Sequence, residues 1–399
     1  MHPESVVPGL PSGPESEPCP APPLVESAAP AAGPAATPTT EPPPLPPAEA
    51  SATPRPPAEP PYRGGHPFLF HGNEREYFRI WIVNTLLTLL TLGVFAAWAK
   101  VRKRRYLRGN TELMGHRFDY LAEPSRILVG NILVVLAFLA YAVIGEVYPA
   151  VRLGAFVAGA ALLPWVIIRS LAFNAHNTRY RGLRFYFRQT YGMAALVYGG
   201  QLLVVLLTAG LYYPAWIRNR REFTIGSHRL GDAFFRFEAR TGPFYSAYLI
   251  AGGLLLLAAF TGGALSILLT LATGPGYPGP LQMIPFFALY GLAFFIGKHV
   301  IYARLFNHVW NHTRLDDHRF VADLRTGAWL KLQLANLAAI IGTAGLLYPW
   351  AQIRSARLAL AHLHFHPAGP LERTGELGRA EGNALGETAG EFVGLDFGL

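Results

Sequence analysis

The sequence has one cysteine, Cys19, among 399 residues, so an internal disulfide and a cysteine-rich metal site are excluded. Residues 1–61 contain no phenylalanine, tyrosine or tryptophan and hold 21 of the 34 prolines. Such a segment lacks the apolar surface that would offset the entropy of ordering it. It also lacks a basic start followed by an apolar core, so we do not expect a signal peptide. We predict a disordered Pro/Ala-rich acidic tail over 1–61 and a flexible Gly/Glu-rich tail over 368–399.

Acidic charge is scarce between these tails. The net charges of −6 for 1–61 and −4 for 368–399, taken from the formal total of +9, leave +19 for 62–367. That much basic charge usually indicates nucleic acid. Here the Lys and Arg residues lie between apolar runs, where anionic lipid headgroups attract them. We therefore predict a lipid bilayer with anionic headgroups as the partner and no nucleic acid, and we leave a protein partner open, with its identity unknown.

Charge of either sign is missing from six long runs, which define the membrane segments. A helix needs roughly 20 residues to cross the hydrocarbon layer. The longest run is interrupted by a Gly/Pro-rich turn at 273–280, so it holds two helices. A soluble core does not fit this blockwise separation. We predict a mainly α, polytopic transmembrane protein with about seven apolar helices, and a multispan membrane domain over 62–367. The runs are 80–99, 127–145, 153–168, 189–217, 241–297 and 332–353.

One motif occurs three times, each time closing an apolar run and opening a basic one. It has a threonine, a glycine two residues later and a tryptophan after that, with an amide side chain seven residues before the threonine. Glycine and proline interrupt a helix, tryptophan suits the headgroup level, and arginine follows in the polar zone. The predicted intramembrane polar residues are Asn84, Thr91, Gln201, Thr208, Asn336 and Thr343. The predicted interfacial residues are Trp98, Arg102, Arg105, Trp216, Arg218, Arg221, Trp350, Arg354 and Arg357.

Short aromatic segments with period-two alternation lie between the apolar runs and predict interfacial β-strands. They are centred on Phe68, Phe118, Phe185, Phe235 and Phe320. Such strands have to pair with one another, because open strand edges are not tolerated in lipid. The alternative is that these residues are aromatic anchors without a sheet.

We call the chain that follows each predicted strand, up to the next one, a unit. Short units hold one apolar helix and long units hold two, and they follow in the order short, long, short, long, short. If each short unit crosses the membrane once, basic loops fall on both sides, against the positive-inside tendency. If each short unit folds back at its glycine, all basic loops share one side. The length of the uncharged runs favours crossing, and on that ground we predict seven spans.

Histidines are the residues best suited to chemistry in this sequence. His308 and His312 would share a helix face, and His364 lies in an alternating His-rich segment, so these three are weak candidates for metal ligands. The competing interpretation is that they anchor the chain at the membrane boundary. No phosphate loop, nucleophile elbow or zinc-protease motif is present. We predict no enzymatic activity, no cofactor and no committed metal site.

Four segments near the start of the membrane domain carry a specific pattern: His71 to Trp81, Asn84 to Gly93, the basic segment from Trp98 to Tyr106, and Gly115 to Phe118. In these segments the sequence resembles the YjgN-like family of bacterial inner-membrane proteins. The resemblance runs from about Pro67 to His366. It implies a multi-pass protein of the bacterial inner membrane and supplies no catalytic residues, because no biochemical activity is established for the family.

Two functions remain open from the sequence. The first is a structural, lipid-interacting or partner-binding membrane protein, in which the amides and threonines hold helices together. The second is a transporter or channel for a small solute or ion through a polar path between helices. A continuous water-filled cavity reaching Asn84, Gln201 and Asn336 would favour the second.

Overall fold

The computed structural model describes residues 65–274 and 279–369, which are mostly helical, as predicted. The predicted tails, 1–61 and all but the first two residues of 368–399, lie outside the described residues. A π-helical turn, Leu196–Gly200, joins the helices Tyr191–Ala195 and Gln201–Leu207. The helices are α1 Glu74–Leu90, α2 Ala96–Gly109, α3 Pro124–Val147, α4 Pro149–His176, α5 Tyr191–Ala195, α6 Gln201–Leu207, α7 Tyr213–Ile225, α8 Gly242–Thr273, α9 Gly279–Gln282, α10 Ile284–Asn311, α11 Thr326–Gly342 and α12 Tyr348–Ala361.

Within the described residues, eleven short strands form one sheet. The strands are β1 His66–Pro67, β2 Leu69–Phe70, β3 Thr111–Leu113, β4 His116–Tyr120, β5 Thr178–Tyr180, β6 Leu183–Phe187, β7 His228–Leu230, β8 Ala233–Phe237, β9 Thr313–Leu315, β10 His318–Ala322 and β11 Leu363–His366. In the sheet, β1 lies beside β11, and the remaining strands follow in descending order from β10 to β2. β1 and β2 flank a single residue, Phe68, so the two ends of this order meet and the sheet is barrel-like; we call it the barrel.

Neighbouring strands of the barrel are antiparallel and are joined alternately by two-residue turns and by helices. Because antiparallel strands reverse at every connection, all the tight turns lie at one end and all the helical connections leave from the other. Each helical connection therefore begins and ends at the same end of the barrel. We call 74–109, 191–225 and 326–361 the first, second and third short hairpins, and 124–176 and 242–311 the first and second long hairpins.

The barrel interior is filled by the phenylalanines that marked the predicted strands. The rings form a chain of neighbours with centroids 6.3 to 6.5 Å apart, in the order Phe118, Phe68, Phe320, Phe235 and Phe185. Aromatic pairs at this separation contribute packing energy beyond the burial of area. The predicted sheet is confirmed, and the alternative of aromatic anchors without a sheet is wrong.

Within the described residues, four helices are long and apolar enough to cross a membrane: Pro124–Glu146, Ala150–His176, Gly242–Thr273 and Ile284–Asn311. All four belong to the long hairpins. The prediction of seven spans is corrected to four because each short unit folds back. A single crossing would place the strands on either side of a short unit on opposite faces of the membrane, yet those strands pair directly with each other.

Candidate functional site: the three short hairpins

Each short hairpin reverses through the same turn, built by the repeated threonine-glycine motif. The N–H of the glycine donates to the carbonyl five residues earlier at 2.8 Å in all three copies, which is the long hydrogen bond of a Schellman motif. The glycine and the residue before it both have positive φ. These angles are 49° and 93° at Leu92 and Gly93, 47° and 88° at Ala209 and Gly210, and 48° and 90° at Ala344 and Gly345.

The turn satisfies the backbone N–H groups at the tip. Six successive N–H groups, beginning with that of the threonine, donate hydrogen bonds in every copy. The threonine hydroxyl donates to the carbonyl four residues earlier at 2.7 Å. It also accepts from the N–H four residues later, at 2.9, 3.1 and 3.2 Å for Thr91, Thr208 and Thr343. Lipid tolerates irregular backbone only when such bonds are made within the protein.

The tips of the short hairpins carry exposed apolar side chains. Leu92 is 96% exposed, Leu207 is 86% exposed and Ile341 is 71% exposed. In the first and third short hairpins, the outgoing arm has eleven uncharged residues before the tip, at 80–90 and 332–342. Eleven helical residues rise about 16 Å, roughly half of a 30 Å hydrocarbon layer. These tips are suited to the interior of one leaflet.

The repeated amide joins the two arms of its own hairpin, always to the residue eighteen positions later. The Asn84 Oδ1 atom accepts from Arg102 at 3.4 Å, and the Asn336 Oδ1 atom accepts from Arg354 at 3.4 Å. In the second short hairpin, the position of the arginine is taken by Asn219, which donates to Gln201 Oε1 at 3.0 Å. Asn84 and Asn336 are buried. The structure therefore holds the three amides in three separate hairpins.

The predicted interfacial residues of the first short hairpin lie on its returning helix. Trp98 stacks on Phe95 with centroids 5.9 Å apart. The Arg102 guanidinium lies 5.4 Å from the Phe95 ring centroid, and Arg105 donates to the carbonyl of Tyr120 at 3.3 Å. The two arginines are thus held by neutral partners.

In the second short hairpin, more of the predicted interfacial residues are tied into the protein. Trp216 donates to the carbonyl of Val197 at 2.7 Å. Arg218 forms an ion pair with Glu222 at 2.5 Å and donates to the carbonyl of Ala239 at 3.1 Å. Burial lowers the pKa of Arg221, although a guanidinium remains charged at neutral pH.

The third short hairpin packs against the first and is bonded to it through Arg357. The Arg354 guanidinium lies 4.3 Å from the centroid of Trp350. Arg357 forms an ion pair with Glu74 at 2.5 Å and donates to the carbonyl of Gly72 at 2.9 Å. The hydrogen bond from Arg357 holds the pKa of Glu74 below its ordinary value. The cation of Arg357 is therefore committed to a contact between hairpins.

Two short hairpins carry a surface groove at equivalent positions. The first groove, of about 460 Å³, is lined by Arg79, Ile80, Val83, Arg102, Arg105 and Tyr106. The second, of about 400 Å³, includes Leu196, Val197, Gln201, Asn219, Glu222 and Phe223. Counted from the amide of each hairpin, five lining positions coincide. The three arginines of the first groove correspond to Leu196, Asn219 and Glu222 in the second.

The histidine candidates are not gathered into a metal site. The Nε2 atom of His308 lies 3.0 Å from the carbonyl oxygen of Arg240, and the Nδ1 atom of His312 lies 2.8 Å from the carbonyl oxygen of His308. His364 lies in β11, opposite Val321 of β10. Within residues 65–274 and 279–369, no group of three or more His, Cys, Asp or Glu side chains is arranged to hold a metal ion.

Two features of the site were missed from the sequence. Arg79 was not predicted, because it precedes the apolar run and lies five residues before Asn84. The pairing of each amide with the residue eighteen positions later was missed as well. A signal for the second feature exists, because aligning the three hairpins on their threonines places Arg102, Asn219 and Arg354 at one position.

Comparison with known proteins finds relatives that are named as inner membrane proteins. The protein named Inner membrane protein YjgN of Salmonella typhimurium is 30% identical over 162 residues, which is 40% of each chain. Proteins of the same name from Escherichia coli O157:H7 and K12 are 34% and 33% identical, each over 31% of both chains. The chain therefore spans less than half the length of these relatives. No solved structure matches it.

The family comparison covers far more of the chain than these pairwise matches do. A family model matches residues 65–392, a range that contains the barrel and all five hairpins. The names of the relatives and the membrane-length helices together locate the chain in the bacterial inner membrane. The chain belongs to the family described as "Bacterial protein of unknown function (DUF898)".

Proposed function

We propose that this protein is a non-catalytic, lipid-interacting scaffold that holds its barrel at the cytoplasmic face of the inner membrane. In this arrangement the two long hairpins anchor the barrel by four spans. The three short hairpins insert their apolar tips into the cytoplasmic leaflet. The observation that carries the proposal is the turn shared by the three tips, because its backbone N–H groups are satisfied within the protein and its side chains are apolar and exposed.

The charge distribution supports the cytoplasmic orientation. The basic segments 100–126, 169–188, 218–240 and 298–331 all adjoin the strands of the barrel. Since every hairpin returns to the same end of the barrel, these segments share one side of the membrane. The positive-inside rule assigns that side to the cytoplasm. In this arrangement the basic loops obey the positive-inside tendency, and the uncharged runs of the short units are long enough because each folds back as two arms.

The contacts of the amides support a scaffold over a transport path. Each amide of the motif bonds to the returning arm of its own hairpin. Contacts of this kind between membrane helices stabilise them by about 0.6 kcal/mol each. A transport path would need the same amides to face a shared aqueous cavity. A transporter is therefore our second candidate function, because none of these amide contacts supports it.

A depth measurement tests the proposal. Single cysteines replace Leu92, Leu211 or Leu346 in a Cys19→Ser background, and each carries a bimane label in vesicles of phosphatidylethanolamine and phosphatidylglycerol. We expect stronger quenching by lipids with a nitroxide deep in the acyl chain than by lipids with one at the headgroup. A label at Asp317, in a tight turn of the barrel, is the control and should be quenched by a water-soluble agent. Tip labels that are also quenched mainly from water would refute the proposal.

A further inference from the structure

The first short hairpin carries three cations on the wall of a groove whose remaining lining is mostly apolar. Arg79, Arg102 and Arg105 are exposed and line the groove together with Ile80 and Val83. Within the part of the chain that the structure describes, none of these arginines forms an ion pair with a carboxylate. Arg102 and Arg105 contact an amide oxygen and a backbone carbonyl, and both partners are neutral.

We propose that this groove binds one anionic phospholipid of the cytoplasmic leaflet. The phosphate would lie among the three guanidinium groups, which match phosphate oxygens in geometry and charge. One acyl chain would lie along Ile80 and Val83 towards the apolar tip. The inference rests on the proposed insertion of this hairpin into the leaflet and adds the class of ligand and its site.

The phenol of Tyr106 forms a neutral, fixed part of the groove lining. The Tyr106 hydroxyl accepts from the N–H of Asn73 at 2.8 Å and contacts the carboxylate of Glu76 at 3.1 Å. Burial, together with Glu76, raises the pKa of Tyr106, so the phenol stays uncharged. Glu76 bonds to this phenol and forms no ion pair with the three arginines, which leaves their charge available to a ligand.

The second short hairpin provides an internal comparison. Its groove has nearly the same volume and the same position relative to the amide, but a leucine, an asparagine and a glutamate replace the three arginines. Shape alone therefore does not distinguish the two grooves, whereas charge does. An anionic headgroup should select the first groove, and a ligand that recognises apolar shape would not discriminate between them.

The test uses the full chain in dodecyl maltoside and counts retained lipids by native mass spectrometry. The loss variant is Arg79→Leu, Arg102→Asn and Arg105→Gln, in which the introduced asparagine can contact Asn84 as Asn219 contacts Gln201. The matched control removes three exposed barrel arginines by Arg117→Gln, Arg314→Gln and Arg319→Gln. Each cation near an anionic surface strengthens attraction about five-fold, so the loss variant should bind phosphatidylglycerol about 100-fold more weakly. The control should bind as the wild type does.

A gain variant guards against a loss variant that misfolds. Leu196→Arg, Asn219→Arg and Glu222→Arg should convert the second groove and add a second retained phosphatidylglycerol. Equal retention of phosphatidylglycerol and phosphatidylcholine by the wild type would overturn the site, as would weakened binding in the control. Displacement of the lipid by millimolar inorganic phosphate would identify a free-anion site instead. Should the tips lie in the leaflet while the loss variant binds normally, this site fails and the proposed function stands.

Discussion

Replacing the tip glycine of the third short hairpin by alanine should destabilise the protein through the backbone alone. Gly345 has φ of 90°, and a Cβ atom added there meets no heavy atom within 4 Å. The left-handed conformation costs a residue with a side chain about 1–2 kcal/mol. Gly342 is the matched control because it is the last residue of α11, three positions earlier, and its added Cβ also meets nothing. Gly342→Ala should be neutral or stabilising by up to about 1 kcal/mol.

Gly345→Ala should therefore have a free energy of unfolding roughly 2 kcal/mol below that of Gly342→Ala. One kcal/mol shifts the unfolding temperature of a domain of 150–250 residues by about 2–4 °C. We expect Gly345→Ala to unfold several degrees below Gly342→Ala when tryptophan fluorescence is followed in dodecyl maltoside. Equal unfolding temperatures would mean that the chain does not reverse at this glycine, and the fold-back of the short hairpins would lose its physical basis.

Three further predictions concern contacts elsewhere in the fold. Gly262→Ala places a Cβ atom 2.9 Å from the backbone of α10 and should lower the free energy of unfolding by about 1–3 kcal/mol. Gly263→Ala is the control, because its added Cβ atom meets no heavy atom within 4 Å. Equal thermal stability of the two variants would contradict the close packing of the second long hairpin. Glu74→Gln should cost up to about 1 kcal/mol at pH 7. Because Arg357 lowers the pKa of this carboxyl from an ordinary 4.5, that cost should shrink as pH falls below 4.5, and a pH-independent cost would refute the ion pair. Thr343→Ala should lower the free energy of unfolding by about 1–3 kcal/mol, because it leaves the N–H of Leu347 unbonded. Thr343→Ser should restore most of this stability, and equal stability of the Ala and Ser variants would show that the hydroxyl does not hold the tip.

The local elements of this fold could be predicted from the sequence because their signals are local. Alternating aromatic residues marked the strands around Phe118, Phe185 and Phe320, and all three lie in the barrel. The three motifs marked the ends of apolar runs, and each lies at a helix end. Period and composition suffice for such features, since they depend on neighbours within a few residues.

Whether a short unit crosses or folds back could not be decided in the same way. An uncharged run of about 20 residues has the length of one crossing, which favoured seven spans, but the same length also accommodates two half-length arms. The choice depends on the conformation of two residues at each tip and on pairing between strands far apart in the chain. The ring closes because β1 pairs with β11, some three hundred residues later, and that contact has no local signal.

The groove arginines also combine features that have a local sequence signal with features that depend on the fold. Arg102 and Arg105 were predicted as interfacial from their place after the motif, but the contact of Arg102 with Asn84 on the outgoing helix depends on how the hairpin folds. Arg79 lies on the outgoing helix and joins them because the hairpin folds. An alignment of the three repeats places Arg102 with Asn219 and Arg354, whereas the hydropathy of each run carries no signal for this arrangement.

The sidedness of the strands next to the second short hairpin tests the fold most directly. Single cysteines at Arg188, before the hairpin, and at Arg236, after it, would be labelled with a membrane-impermeant thiol reagent in a Cys19→Ser background. Tyr148→Cys, at the junction of α3 and α4 in the first long hairpin, reports on the opposite side. We expect the Tyr148 site to react in intact cells, and the Arg188 and Arg236 sites to react only after the membrane is opened. Reaction of the Arg236 site in intact cells, with the Arg188 site still protected, would show that the short unit crosses the membrane.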